Sequence, residues 1–129
     1  MRLLLDSHIV LAFQRRDPMI ASAAIDRLVR SPDNDLFVSA ASLWEIALKH
    51  RLGKLDLDVR IEELPDLCLS LNFELFDVNH HHAVEELEVQ PPTRDPFDRL
   101  LLAQCQVEGM RLVTLDRALA KHPLAWRDK

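Results

Sequence analysis

Cysteine and long apolar runs are both scarce in this chain, and each scarcity excludes a class of protein. The only two cysteines among the 129 residues, Cys68 and Cys105, lie in apolar helical patterns that are typical of buried free thiols. We therefore expect a reduced, intracellular protein and not a disulfide-stabilised one. No segment approaches the ~20 apolar residues of a membrane helix, and Asp6 and His8 interrupt the N-terminal run before it could form a signal-peptide core. The expected location is the cytoplasm, away from any membrane.

An excess of basic residues is also absent. Asp and Glu number 21 against 16 Lys and Arg, which gives a formal net charge of -5. This balance provides no broad basic field, so a polyanionic substrate would need local basic patches and a bound cation. The hydrophobic content of 48% is enough for one compact core. Because no internal repeat, low-complexity tract or long linker divides the sequence, we predict a single domain over residues 1–129.

Short apolar runs alternate with helical patterns along the chain. The predicted strands cover residues 1–5, 36–38, 73–78 and 110–115. Helices are predicted over 9–13, 20–29, 39–53, 61–71, 80–89 and 95–109, with a last one after residue 116. Ser39, Asn79 and Asp95 are the expected N-caps, and Gly109 is expected to end the helix that Asp95 begins. This alternation predicts an α/β fold with a parallel sheet covered by helices on both faces.

Two aspartates follow the first and the last of these apolar runs. Asp6 comes directly after three leucines, and Asp116 comes directly after Leu115. In open α/β sheets, chemistry collects beyond the carboxyl ends of the strands, so both side chains are expected at the same edge. Two ionised carboxylates placed there repel each other unless a cation lies between them. The pair therefore predicts a divalent-metal site, with capping of the next helix as the alternative for each.

Two further acidic residues stand at positions where a purely structural role is also open. Glu45 is flanked by apolar residues within its helix, and the alternative is an exposed position paired with Lys49 at i,i+4. Asp98 falls in the first turn of the helix that Asp95 and Pro96 open. A carboxylate there gains from the helix dipole and can complete a capping arrangement without any chemical role.

Histidine and tryptophan offer two other features of interest. His80, His81 and His82 are consecutive, but consecutive helical residues point in different directions, so a helix N-terminal position explains them better than a metal tract. Trp44 and Trp126 could stack on bases. The apolar neighbours of Trp44 favour a core position for that side chain.

Four segments of the chain resemble, in order, the signature segments of PIN-domain ribonucleases, specifically the VapC-type toxins of bacterial toxin-antitoxin pairs. They are LLLDSH at 3–8, VSAASLWEIA at 38–47, RDPFDRLLLAQ at 94–104 and LVTLD at 112–116. Each segment alone is a weak motif. Together they span nearly the whole chain, with an acidic residue at each expected place, and this makes the resemblance strong.

The resemblance implies a PIN-like three-layer α/β fold and an acidic pocket that holds Mg²⁺ or Mn²⁺ and hydrolyses phosphodiester bonds of single-stranded RNA. The residues that match the family's catalytic and metal-binding acids are Asp6, Glu45, Asp98 and Asp116. Possible additional site residues are Asp95, Ser7 and Ser39, which could equally serve as cap and turn residues. Basic residues beside these positions could contact RNA phosphates, with ordinary solvated charge as the alternative: Arg94, Arg99, Arg117 and Lys121. The implied partners are the RNA substrate, a cognate antitoxin protein and a second copy of the chain in a homodimer.

Two other functions remain open at this point. One is a different Mg²⁺-dependent phosphoryl-transfer domain, such as a receiver domain with a phosphoaccepting Asp. Such a domain needs a further acidic pair beside its first-strand Asp, which Ser7 and His8 do not supply. The other is a PIN-like RNA- or protein-binding module that has lost catalysis, and the presence of all four matched acids counts against it.

Overall fold

The central element of the fold is a parallel four-stranded sheet with the strand order β3-β2-β1-β4. The computed structural model describes residues 1–15 and 23–128. The strands are β1 (Arg2–Leu5), β2 (Asp35–Ser39), β3 (Glu74–Phe76) and β4 (Arg111–Val113). In the register of the sheet, Leu4 of β1 lies between Phe37 of β2 and Leu112 of β4. The parallel sheet that the sequence predicts is confirmed.

Helices follow every strand in the described ranges. They are α1 (Ser7–Arg15), α2 (Ala23–Arg30), α3 (Ala40–Arg51), α4 (Leu64–Ser70), α5 (His80–Val84) and α6 (Pro96–Glu108). Two short 3-10 helices cover Ile61–Glu63 and Leu119–Lys121. The predicted helix over 20–29 is found from residue 23 onward, and its first part lies outside the described residues. No helix of the described ranges is long and apolar enough to cross a membrane.

Successive side chains of β1 enter two different cores, one on each face of the sheet. Leu3 and Leu5 pack with residues of α1, α2 and α4, while Leu4 packs with Leu101 and Leu102 of α6. All three β1 leucines are completely buried. Each contributes about 1.5–3 kcal/mol of hydrophobic stabilisation. This alternation produces the three-layer arrangement of helices, sheet and helices.

One free cysteine lies in each core, as the sequence predicts. Cys68 of α4 packs with the first cluster and Cys105 of α6 with the second. Burial raises the pKa of Cys68 to about 11 and that of Cys105 to about 12. Both side chains are therefore neutral thiols at physiological pH.

The helix ends follow the predicted caps closely. The Ser39 hydroxyl accepts a hydrogen bond from the Ala41 amide at 3.0 Å, and the Asn79 side chain accepts from the His81 and His82 amides of α5. The Asp95 carboxylate accepts from the Phe97 amide at 2.9 Å. Gly109 ends α6 in the left-handed conformation, with φ of 68°, which glycine adopts at little cost.

Several predicted elements are longer than the observed ones. β4 stops at Val113, so Leu115 is partly exposed and Asp116 stands three residues beyond the strand instead of at its end. The last helix is only a short 3-10 turn that begins at Leu119. Helix α5 ends at Val84, because Gln106 of α6 takes over the backbone groups that would have continued it. The Gln106 side chain donates to the Glu86 carbonyl at 2.9 Å and accepts from the Glu88 amide at 3.0 Å.

The predicted core position of Trp44 is wrong. Its side chain is 63% exposed, and its ring lies edge-on to the Phe97 ring, with ring centroids 5.8 Å apart. Of its apolar neighbours in sequence, Ile46 and Ala47 are buried, whereas Leu48 is exposed like Trp44. Apolar neighbours in sequence do not imply a shared face, since consecutive helical residues point in different directions.

Candidate active site

Asp6 enters the site directly from the end of β1. Its own amide donates to the Val113 carbonyl of β4 at 3.1 Å, and its carboxylate accepts from the Ile9 amide at 3.1 Å in the first turn of α1. The side chain is only 3% exposed. Burial raises the pKa of Asp6, against the opposing effects of hydrogen bonds from the Thr114 hydroxyl and the Ile9 amide and of the charge of His8. Asp6 is therefore a helix cap and also a buried carboxylate.

Glu45 is held on both of its oxygens. The Ser7 hydroxyl donates to Oε1 at 2.6 Å, and the Lys49 ammonium binds Oε2 at 2.8 Å. The i,i+4 pair with Lys49 is thus present, yet Glu45 is buried at 5% exposure and does not occupy a solvated face. The hydrogen bond to Glu45 raises the pKa of Lys49, helped by the negative charges of Glu45, Asp95 and Asp98. Lys49 is therefore a firmly protonated cation beside the site.

The pKa of Asp98 indicates which other carboxylates lie near it. Its pKa is raised to about 6, first by burial. The second cause is the negative charge of four other carboxylates, which are Asp95, Glu45, Asp6 and Asp116. The fold therefore brings the other four into electrostatic range of Asp98. We call these five residues the acidic cluster.

Asp95 and Asp116 combine a local capping role with membership of the acidic cluster. Asp95 caps α6 through the Phe97 amide, and Asp116 accepts from the Ala118 amide at 2.9 Å in the turn after β4. The Thr114 hydroxyl links two parts of the cluster, because it accepts from the Asp116 amide at 3.0 Å and lowers the pKa of Asp6 through its side chain. Sequence reasoning missed Thr114. The available signal was a hydroxyl residue within the segment that ends in Asp116.

The three serines near the site play different parts. Ser7 contacts a cluster member, since it donates to Glu45, whereas the Ser39 hydroxyl is engaged in capping α3 at Ala41. Ser42, one turn before Glu45, is fully buried, and its hydroxyl has no hydrogen-bond partner within the described residues. Sequence reasoning did not single out Ser42, whose only signal is its i,i+3 spacing from Glu45.

The four basic residues that stand beside the acidic cluster in sequence do not pair with it. Arg99 donates to the Gln90 side chain at 2.7 Å, and Arg94, Arg117 and Lys121 are exposed. Within residues 1–15 and 23–128, no hydrogen bond or ion pair joins the side chains of these four to a cluster carboxylate.

The residues that could hold a cation are Asp6, Glu45, Asp98 and Asp116. No three His, Cys, Asp or Glu side chains of the described ranges are grouped as a ready metal cage. The donor chemistry still fits a hard divalent cation, because carboxylate oxygens with retained waters are the ligands that Mg²⁺ and Mn²⁺ prefer. After burial, the charges of the other four carboxylates also raise the pKa of Asp98, and a bound cation would offset this repulsion.

Comparison with known proteins places this chain in a family. The model of the PIN domain family matches residues 3–123. Ribonuclease VapC16 of Mycobacterium tuberculosis is 33% identical over 75 residues, a match that covers 55% of this chain and about half of that relative, 53% of its length. A chain in the crystal structure of VapBC2 from Rickettsia felis, bound to a DNA fragment from their promoter, superposes with a TM-score of 0.63 at 18% identity. That superposition covers 97% of this chain and 96% of the other, and it shows a shared fold. Since the family model spans almost all of the sequence, the chain belongs to the PIN domain family.

Proposed function

We propose that this protein is a divalent-metal-dependent endoribonuclease of the VapC type, the toxin of a toxin-antitoxin pair. The observation that carries the proposal is the acidic cluster, in which a half-buried Asp98 experiences the charge of four other carboxylates at the carboxyl ends of the strands. The relation to ribonuclease VapC16 supports RNA as the substrate class. In the proposed reaction, water attacks a phosphodiester phosphorus and the bond to the leaving oxygen breaks.

Asp6, Glu45, Asp98 and Asp116 would hold Mg²⁺ or Mn²⁺ in this mechanism. A bound divalent cation lowers the pKa of a ligated water and neutralises charge that develops on the leaving oxygen. Asp6 presents its carboxylate from a rigid strand end, where Thr114 and the Ile9 amide determine its orientation.

Glu45 is oriented by two neighbours that leave little freedom to its side chain. Ser7 holds one oxygen at 2.6 Å, so the second oxygen is the one whose partner can change. The Lys49 ammonium donates to that second oxygen. The negative charges of Asp95 and Asp98 also raise the pKa of Lys49. Without a further cation, the cluster would repel an RNA phosphate, since the carboxylates outnumber the one ammonium.

The experiment that tests the proposal follows cleavage of a single-stranded RNA with Mg²⁺, with Mn²⁺ and with excess EDTA. We expect cleavage with either metal, and loss of cleavage in EDTA or in the Asp6→Asn variant. Asp95→Ser, which keeps a capping oxygen, serves as the matched variant and should retain much more activity than Asp98→Asn. Undiminished cleavage in EDTA would show that the metal mechanism is wrong.

A cognate antitoxin and a second copy of the chain are the proposed protein partners. The shared fold with a chain of the VapBC2 complex supports the antitoxin as a partner class. Light scattering on the purified protein would measure whether it is a homodimer. Co-expression with the product of the adjacent gene, followed by purification through a tag on this chain alone, tests the antitoxin.

The proposed RNA contacts are tested by the RNA cleavage assay described above on the Gln variants of Arg94, Arg99, Arg117 and Lys121.

A further inference from the structure

A cleft of about 270 Å³ opens beside the acidic cluster, and its charge is opposite to that of the cluster. Glu45 and Ser7 form one part of its lining. The other lining residues are the apolar Leu11, Ile46 and Leu55 and four basic side chains: His8, Arg15, Lys49 and Lys54. In a chain with a net charge of -5, the three Lys and Arg side chains around this one small cleft are a local concentration of positive charge. None of the four stands among the basic residues that the sequence predicts as RNA contacts.

The positions of these basic residues are determined by the backbone. His8 and Arg15 are seven residues apart on α1, which places them on one face of that helix two turns apart. Lys49 lies in the last turn of α3, and the amide of Lys54 donates to the Lys49 carbonyl at 2.9 Å. Gly53 makes this turn possible with φ of 73°, a conformation that other residues adopt only at a cost.

The segment after α3, which forms one wall of the cleft, is hydrogen-bonded to both α1 and α3. The Arg15 guanidinium donates to the Asp56 carbonyl at 3.1 Å, so the end of α1 is joined to the segment after α3. The His50 ring bonds the Leu55 carbonyl at 3.0 Å, which joins the same segment to α3. The basic side chains thus project from a preformed surface.

The charges of the cleft are poorly compensated. Lys49 is bound to Glu45, and His8 acts on Asp6. Within the described ranges, the side chains of Arg15 and Lys54 make no ion pair with any carboxylate. An anionic ligand would therefore not have to displace a carboxylate from these two groups, and the Arg15 guanidinium can bind it while still donating to the Asp56 carbonyl.

We propose that this cleft binds the phosphodiester backbone of single-stranded RNA and leads it into the acidic cluster, with Lys49 innermost and Arg15 and Lys54 on successive phosphates further out. The proposal rests on the proposed nuclease function. A flexible polyanion is the occupant that the position favours, because the cleft is continuous with Glu45, where the scissile phosphate must arrive. Phosphate contacts of this kind position the strand without reading its sequence.

The test is a binding measurement, so that it remains readable whatever the protein cleaves. Fluorescence anisotropy of a labelled single-stranded RNA is recorded against salt concentration with Mg²⁺ present, using Asp6→Asn as the parent protein. The cleft variant adds Arg15→Gln and Lys54→Gln. The matched control adds Arg27→Gln and Arg60→Gln, two exposed arginines that do not line the cleft and pair with exposed carboxylates. Circular dichroism confirms that all three proteins are folded.

We expect the cleft variant to bind roughly tenfold more weakly, and its salt slope to fall by about 1.4, about 0.7 for each RNA phosphate that the protein no longer neutralises. The control should bind within about twofold of the parent. Equal binding by the cleft variant and the control would overturn the proposal, as would absence of measurable binding by the parent. If an acidic peptide competes with RNA at equal concentration and depends on the same two residues, the cleft is a protein-docking site and the proposal is also wrong.

Discussion

At the scale of single residues, the carboxylates of the acidic cluster differ in what stabilises their charge. Asp6 has the Ile9 amide and the Thr114 hydroxyl, and Glu45 has Ser7 and Lys49. Within the described part of the chain, no hydrogen-bond donor reaches the Asp98 side chain, and burial together with four like charges raises its pKa to about 6. Asp98 is therefore the carboxylate that would gain most from a cation.

Asp98 should make the metal-free protein less stable as the pH rises. Its folded pKa of about 6 exceeds the ordinary value of 3.8, so the folded state binds more protons between these values and loses stability across that window. Asp98→Asn should thus be more stable than the wild type by roughly 1 kcal/mol at pH 7 in EDTA, after allowance for solvent screening. At pH 3.5 the two should be equal. Urea denaturation at both pH values measures the difference, and a variant less stable at pH 7 would contradict the assignment.

Thr114 is a positioning residue whose hydroxyl should matter more than its shape. Thr114→Val keeps the volume but removes the hydroxyl that lowers the pKa of Asp6 and accepts from the Asp116 amide. We expect cleavage to fall at least about tenfold, in line with the loss of a partner that orients a metal ligand. Thr114→Ser should restore most of the activity. If Val and Ser variants are equally active, the hydroxyl does not orient the site.

The sequence predicted the identity of the cluster residues better than their surroundings. Asp6, Glu45 and Asp116 stand within or directly after apolar segments, where an ionisable side chain requires an explanation, and the order of the motifs supported Asp98. The Thr114 link and the approach of Ser7 to Glu45 depend on tertiary contacts between segments far apart in the chain. Hydroxyl residues are frequent in turns, so nothing in the local pattern distinguishes these two from ordinary turn residues.

At the scale of whole elements, caps are local and were predictable, whereas one helix end depends on a distant side chain. Ser39, Asn79 and Asp95 each bond an amide two residues ahead, so the signal lies within one turn. The end of α5 at Val84 depends on Gln106, which lies in another helix. The pattern of residues 80–89 alone could not reveal that competition.

Ser39 should prove to be a structural residue of α3 and not a participant in chemistry. Its buried hydroxyl caps the Ala41 amide, so Ser39→Ala should lower the free energy of unfolding by about 1 kcal/mol. Cleavage per folded molecule should stay within about threefold, since no carboxylate loses a partner. Thermal melts paired with initial cleavage rates separate the two effects. A large loss of activity with an unchanged melt would assign Ser39 to the site.

At the scale of the whole molecule, strand ends from distant parts of the sequence meet at one edge of the sheet. β1 lies between β2 and β4, so residues that follow the first and last strands become neighbours although more than half of the chain separates them. Strands alternating with helices predict this convergence, because parallel strands share their carboxyl edge. The basic cleft was not predictable in the same way, since it needs α1 to pack against the segment that follows α3.

Divalent cations should stabilise the entire fold, because a ligand that binds the folded state alone shifts the unfolding equilibrium by mass action. At 100 times its dissociation constant, Mn²⁺ or Mg²⁺ would add about 2.7 kcal/mol. The melting temperature should therefore rise with metal in the wild type and much less in Asp98→Asn, which has lost one carboxylate charge. A wild-type melting temperature that does not respond to Mn²⁺ would contradict a metal site in the acidic cluster.

The placement of one thiol in each core makes the two layers of the molecule separately observable. Cys68 and Cys105 are protonated and enclosed on opposite faces of the sheet, so an alkylating reagent can reach each only when its own layer opens. The two alkylation rates, resolved by peptide mass, would report whether the layers open together or one at a time. Metal should slow whichever opening exposes the acidic cluster. Cysteines introduced on the surface for labelling would react well before either native thiol.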